Sequence, residues 1–241
     1  MRPDYVEVFL NLGDLFLEQN RYQDAENTYK SAIKLRPDFV QVYSNLGNLF
    51  KQQKRYQAAE DCYLIALELS PDYVDAHFNR SMLLLSQGYF QKGWEEYESR
   101  FHVNNENRQT FPPEIRVPLW QGESLSGRCI LIWPEQGVGD EIMFASCLYD
   151  LKNSKAQIIL ACDIRLRDLF SRSFPFVKVV DKDPLNRYQK IESSLDYHCG
   201  IGSLPKFFRN NLNTIIQSVK QCILIKRFYQ IFCDIKLNCI Q

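Results

Sequence analysis

The chain has 241 residues, enough for one large or two modest domains, and its 45% hydrophobic and 24% charged content excludes a disordered protein. Lys+Arg and Asp+Glu stand at 29 each, so global charge gives no reason to expect nucleic acid or an anionic membrane as partner. Eight scattered cysteines with no C-x-x-C pair, no apolar run of spanning length and a start at Met1-Arg2-Pro3-Asp4 lead to four expectations: no metal, no cofactor, no integral membrane span, and a cytoplasmic setting.

A unit then recurs three times. Pro3-Asp4-Tyr5-Val6, Pro37-Asp38-Phe39-Val40 and Pro71-Asp72-Tyr73-Val74 open copies predicted over 3–36, 37–70 and 71–101. The spacing is that of helix–turn–helix arrays. Phe9, Leu12, Gly13 and Phe16 fall on one helical face, and return as Tyr43, Leu46, Gly47 and Phe50. In the second helix Ala25, Tyr29 and Ala32 alternate small and large, as do Ala59, Tyr63 and Ala66, so paired helices can interlock. Pro37-Asp38 is expected to stop one helix and start the next. Each hairpin alone would leave an apolar face open, and stacking on the next copy buries it. This column set resembles the tetratricopeptide repeat over about residues 3–101.

Asn11, Asn45 and Asn79 hold one position in the three copies, away from the packing stripe. In stacked repeats the first helices line a concave groove, so these amides form a candidate ladder for the backbone of an extended peptide. Their resemblance to the asparagine ladders of protein O-glycosyltransferase repeats points the same way. The plainer alternative is that asparagine only polarises an exposed face. Repeats that clamp acidic chaperone tails carry lysines here, whereas Leu10, Ser44 and Phe78 supply none. The third copy departs from the pattern: Arg80-Ser81 replaces Leu-Gly, Gly93 replaces alanine, and Trp94 and Tyr97 add bulk, as expected of a terminal repeat facing a further domain.

Residues 102–128 read as an ordered linker, polar to Arg108, rigid at Phe111-Pro112-Pro113, with Trp120 as an anchor or, alternatively, a sugar-stacking platform. From 129 to 211 short apolar strands (129–133, 157–162, 177–180) alternate with helical stretches (142–151, 165–171), the pattern of a partial Rossmann-like parallel sheet with ligands at the carboxyl ends of its strands. The fold class is therefore α + α/β: a helical hairpin array, then a parallel-sheet lobe.

The turn after the first strand, Glu135-Gln136-Gly137-Val138-Gly139-Asp140-Glu141, is not a dinucleotide fingerprint, because Ile142 occupies the third glycine position. Two carboxylates at the helix start would repel a phosphate. A neutral hydroxyl-bearing ligand suits Gly137, Gly139 and Glu141 better, with Asp140 either as general base or simply as helix cap.

Together with Asp196-Tyr197-His198-Cys199-Gly200-Ile201-Gly202-Ser203-Leu204-Pro205 and Pro118-Leu119-Trp120-Gln121-Gly122-Glu123, this turn resembles bacterial repeat proteins with a heptosyltransferase-like domain, akin to glycosyltransferase family nine with its two-lobed GT-B fold. The resemblance implies that Asp140 activates an acceptor hydroxyl, that His198 lies near the same cleft unless it is an ordinary packed histidine, and that a nucleotide sugar is the donor. Such enzymes hold the donor in a second lobe, for which a chain ending at Gln241 leaves no room. A tail at 212–241, basic and apolar after Val219, departs from the family, and a shifted reading frame explains it better than a membrane-surface helix. Two functions follow: a repeat module binding protein or peptide, attached to an incomplete transferase-like lobe that is not competent alone, or a working sugar transferase completed by another chain.

Overall fold

The structure, a computed structural model, describes residues 4–102, 115–135, 137–182, 188 and 192–221. It forms two compact units, Met1–Val103 and Asn104–Gln241.

Three helical hairpins make the first unit: α1 (Asp4–Glu18) with α2 (Tyr22–Leu35), α3 (Val40–Gln52) with α4 (Tyr56–Leu69), and α5 (Val74–Ser86) with α6 (Phe90–Tyr97). A 3-10 turn, Glu98–His102, follows. Each hairpin turns through a residue in the left-handed region: Asn20 (φ 58°), Lys54 (φ 61°) and Gly88 (φ 86°). In the second copy Arg55 N–H reaches Phe50 O at 2.9 Å and Lys54 N–H reaches Lys51 O at 3.0 Å, the paired bonds that satisfy the last carbonyls of α3. Between hairpins the chain closes a tight turn, Phe39 N–H to Arg36 O at 3.2 Å. Pro37 and Asp38 therefore form the centre of that turn, and α3 starts at Val40, two residues later than the sequence suggests. Proline's fixed φ serves the turn here and not a first helical turn.

The core runs through the stack. Ala25, Tyr29, Ala32, Val42, Leu49, Ala59 and Tyr63 are fully buried. A Cβ on Gly13 would stand 2.4 Å from the Tyr29 ring, and one on Gly47 2.5 Å from the Tyr63 ring, so both glycines are there for helix approach. Neighbouring copies are also pinned by ion pairs: Arg55 to Glu26 at 2.9 Å and Arg80 to Glu60 at 2.8 Å. Burial opposes ionisation of Glu26, but the hydrogen bonds from Lys30 and Arg55 outweigh it and hold the carboxyl below its ordinary pKa.

The second unit is a four-stranded parallel sheet of β1 (Cys129–Trp133), β2 (Gln157–Cys162), β3 (Val177–Asp181) and β4 (Tyr197–Gly200), in the order β3-β2-β1-β4. Every residue of β1 is buried, as a central parallel strand requires. Helix α7 (Val138–Phe144) follows β1, and a helix at Arg167–Ser173 links β2 to β3. Asp196 fastens the start of β4 to that of β1, accepting from Cys129 N–H at 2.8 Å and Arg128 Nη1 at 2.7 Å.

The later part of the segment expected as linker belongs to this sheet. Trp120 N–H donates to His198 O at 2.8 Å and His198 N–H to Pro118 O at 3.1 Å, so residues 118–120 run parallel beside β4. The Trp120 ring is buried 4.4 Å from the Phe207 ring, and its Nε1–H donates to Glu123 O at 2.9 Å. A ring so enclosed is an anchor and offers no face for sugar stacking. Residues 103–114 of the linker and 222–241 of the tail lie outside the described residues.

Candidate functional site

Two places carry the residues singled out from the sequence. On the helical unit, Asn11, Asn45 and Asn79 sit on α1, α3 and α5, the first helices of their hairpins. Their surroundings differ by copy. Asn45 Nδ2 donates to Asp14 Oδ1 at 2.7 Å, and Asn79 Nδ2 donates to Ser44 Oγ at 3.3 Å, each reaching the preceding first helix. Asn11 is exposed, with no hydrogen bond to a described residue. The same Asp14 oxygen accepts from the Tyr29 hydroxyl at 2.6 Å, so one carboxylate ties both α2 and α3 to α1. Asp14 was not singled out by sequence reasoning, although its place one turn after Asn11 put it on the inner side.

A carboxylate oxygen can only accept from the Asn45 amide, which fixes the orientation of that amide. One N–H of Asn45 Nδ2 is held at the repeat junction, and its Oδ1 accepts no hydrogen bond from a described residue. Asn79 reaches the Ser44 hydroxyl, which can accept or donate, so its amide is not oriented in the same way. At Asn45 the ladder presents a carbonyl oxygen and one remaining N–H. Beside it, Leu10 and Ser44 are buried and Phe78 is half-buried against Tyr97, at 5.9 Å between ring centroids, so no cation stands there.

The second place is the carboxyl end of the sheet, where β1 runs into Glu135, Gly137, Gly139, Asp140 and Glu141. No atom lies within 4 Å of a Cβ built on Gly137 or Gly139, so both glycines border open space. Gly137 begins α7 without any side-chain cap. Asp140 is half-buried, and its carboxylate makes no hydrogen bond to a described residue, so it does not cap the helix. Glu135 Oε1 accepts from Gly202 N–H at 2.8 Å, joining the ends of β1 and β4.

Glu141, expected beside Asp140 in an acceptor-binding loop, is turned inward. It is 1% exposed, and its Oε2 accepts from Asp163 N–H at 2.9 Å at the end of β2. Burial raises its pKa, against the opposing pull of that bond and of Lys182. An acceptor molecule could not touch it without displacing the end of β2. His198 also faces inward: it is buried in β4, and its Nδ1 accepts the Trp133 indole N–H at 3.0 Å. Desolvation lowers its pKa, so the neutral ring with its proton on Nε2 is the form held here. Of the residues grouped by sequence, Asp140, Gly137 and Gly139 come together at the open end, while Glu141 and His198 are structural. Among the described residues no three His, Cys, Asp or Glu side chains gather as metal ligands, and no helix is long and apolar enough to cross a membrane.

Comparison with known proteins matches residues 13–54 to the family model described as TPR repeat, and residues 40–73 to that described as tetratricopeptide repeat. Residues 13–73 of the first unit are tetratricopeptide repeats. The chain is 40% identical over 99 residues to protein FlbA of Caulobacter vibrioides, covering 39% of this chain and 16% of FlbA. The chain thus spans about a sixth of that relative's length. Three solved structures are also similar. The first TPR of Spaghetti (RPAP3), bound to the HSP90 peptide SRMEEVD, is 18% identical, with a TM-score of 0.41 over 44% of this chain and 85% of that one. The TPR2B domain of yeast Sti1 in complex with pHsp70 is 19% identical, with a TM-score of 0.39 over 42% and 85%. MamA is 27% identical, with a TM-score of 0.38 over 42% and 60%. The tetratricopeptide unit is a protein-interaction module.

Proposed function

We propose that the tetratricopeptide unit binds an extended, non-acidic peptide along α1, α3 and α5, with the Asn45 and Asn79 carbonyl oxygens accepting from peptide backbone N–H groups. The observation that carries this reading is the bond from the Asn45 amide nitrogen to the Asp14 carboxylate of the preceding repeat, which orients the Asn45 carbonyl without using it. Asn11 makes no side-chain hydrogen bond to a described residue and contributes less. The neutral side chains of Leu10, Ser44 and Phe78 beside the asparagines do not favour a peptide recognised through carboxylates. The test is a peptide array probed with the full chain, followed by titration of the best binder by fluorescence anisotropy. Asn45→Asp keeps the acceptor oxygen but replaces the donating amide with a carboxylate oxygen against Asp14, so binding and stability should fall together. Asn79→Ala should weaken binding about five- to tenfold, the worth of one or two hydrogen bonds, with thermal stability nearly kept. Equal binding by wild type and Asn79→Ala would remove the ladder from recognition.

A second reading concerns the sheet unit. The small all-parallel sheet, in the order β3-β2-β1-β4, supports an inferred doubly wound lobe with its ligand at the carboxyl ends of the strands. In this reading the unit belongs to a sugar transferase, and Asp140, whose carboxylate makes no hydrogen bond to a described residue beside the open glycine turn, takes the proton from an acceptor hydroxyl. Calorimetry of the full chain with nucleotide sugars tests it. Micromolar binding that survives Asp140→Asn, with any sugar transfer lost in that variant, is the expected result. No heat and no transfer with wild type would retire the reading.

A further inference from the structure

Three packing columns change character together in the third hairpin. Tyr43, Leu46 and Cys62 of the second copy return as His77, Arg80 and Glu96, and the three ionisable side chains meet. Arg80 bonds Glu96 Oε1 and also reaches Glu60 Oε1 on α4 at 2.8 Å. One guanidinium thus serves two carboxylates. The other oxygen of Glu96, Oε2, is buried and makes no hydrogen bond to a described residue.

His77 Nδ1 stands 3.5 Å from that oxygen. On the far side of the ring, Nε2 lies 2.8 Å from Pro71 O. A carbonyl only accepts, so Nε2 carries a proton, as the Tyr43 hydroxyl does where it donates to Pro37 O at 2.9 Å. A neutral ring held this way turns the lone pair of Nδ1 toward a carboxylate oxygen, and two acceptors face each other. One further proton between them removes the conflict, whichever partner carries it.

The charge around the pair favours that uptake. Arg80 on α5 is offset by Glu60 on α4 as well as by Glu96 on α6. A cavity of about 580 Å³ opens beside the pair, and Asp72 and Glu95 add carboxylates to its wall, with His102 and Ser99. Burial is the first cause that raises the Glu96 pKa above its ordinary 4.5, with Glu60 adding to it and Arg80 and His77 opposing. A carboxyl raised in the folded state contributes stability that is present below about 4.5 and is lost as pH rises through the folded value.

We propose that His77 and Glu96 form a proton-operated latch on the third hairpin: the pair takes one proton from solvent as pH falls, which closes α5 on α6, and returns it as pH rises, which loosens them. The second copy has no such device, because Tyr43 and Cys62 hold the same two positions there. Asn79 rides on α5, so the latch bears on the helix that carries the last of the three asparagines.

The test uses the full chain and amide hydrogen exchange read by mass spectrometry, corrected for the intrinsic rate at each pH. From pH 5 to pH 8 wild type should lose protection in α5 and α6 by about threefold or more relative to α3. Glu96→Gln supplies the hydrogen permanently, with its amide oxygen toward Arg80 and its N–H toward His77 Nδ1. That variant should keep the protection and lose the pH response. His77→Tyr restores the side chain of the second copy, which donates to the proline carbonyl and sets no acceptor against Glu96, so the response should again disappear. Glu95→Gln, on the same cavity wall, should keep most of it. Circular dichroism melts confirm that each variant is folded, and if one of the two latch variants is not, the other decides. Equal relative protection of wild type at both pH values, or a response that survives in a folded latch variant, would overturn the proposal. So would a response that Glu95→Gln removes, since the proton would then belong to the cavity wall and not to the pair.

Discussion

Replacing Gly47 by alanine should cost the helical unit about 2 kcal/mol, read as a lower urea midpoint of the helical circular dichroism signal at unchanged slope. The added Cβ would stand 2.5 Å from Cε1 and 2.8 Å from Cδ1 of Tyr63, far inside contact distance. That ring has nowhere to go. It is fully buried, and its hydroxyl donates to Asn48 Oδ1 at 2.8 Å. Either the ring leaves its rotamer or α3 draws away from α4, and the second course also loosens Val42, Leu46 and Leu49 from the first hairpin.

The third repeat supplies an internal control. Ser81 stands in the column of Gly13 and Gly47, yet it is fully buried beside a buried Tyr97, with its Oγ bonded to Phe78 O at 2.7 Å. The glycine has moved to position 93, where a Cβ would meet the Leu85 side chain at 2.7 Å. Close approach is thus kept but taken from the other helix. Ser81→Gly should therefore cost less than about 1 kcal/mol, while Gly47→Ser should cost as much as Gly47→Ala. Gly47→Ala combined with Tyr63→Leu should recover part of the loss, because the smaller side chain yields the space. A Gly47→Ala midpoint matching wild type would show that the two helices are not held as closely as their contacts indicate.

These contacts also mark what could be read from the chain. The hairpins were legible because helical periodicity and the thirty-four-residue columns agree at Gly13, Tyr29, Gly47 and Tyr63. A column cannot say whether a repeat precedes it, which is why Leu12 was placed in the packing stripe with Leu46 but lies open. The asparagine column was visible, but its meaning depended on Asp14 and Ser44, contributed by the preceding copies. In the sheet unit β1, β2 and β3 stood out as apolar runs. Strand β4 did not, because Tyr197-His198-Cys199-Gly200 is short and mixed, and it becomes a strand only through pairing with distant β1. Asp140 and Glu141 looked interchangeable in sequence. Adjacent helical positions point about 100° apart, so one faces the open end while the other enters the core.

Trp133→Ala should cost the sheet unit about 3–5 kcal/mol, comparable with the whole stability of a small domain, and is expected to abolish its calorimetric transition while the helical unit still melts. Trp133 is fully buried, and it gives His198 Nδ1 its hydrogen bond. The smaller change Trp133→Phe separates packing from that bond, at a cost of about 1–3 kcal/mol at pH 8. Its pH dependence is the sharper test. Burial depresses the pKa of His198 in the folded state, so its neutral form contributes stability that is present above the ordinary histidine pKa of about 6.5 and is lost as pH falls from there toward the folded value. The indole N–H supports that neutral form, and removing it lets the folded pKa climb back toward the unfolded one. Trp133→Phe should then be less stable than wild type at pH 8 but lose less on going to pH 5. Replacing His198 by phenylalanine in wild type should remove the whole of the histidine's part of the acid slope, the desolvation share included. Parallel pH profiles for wild type and Trp133→Phe would mean that the bond does not set the charge state of His198, leaving desolvation alone to account for it.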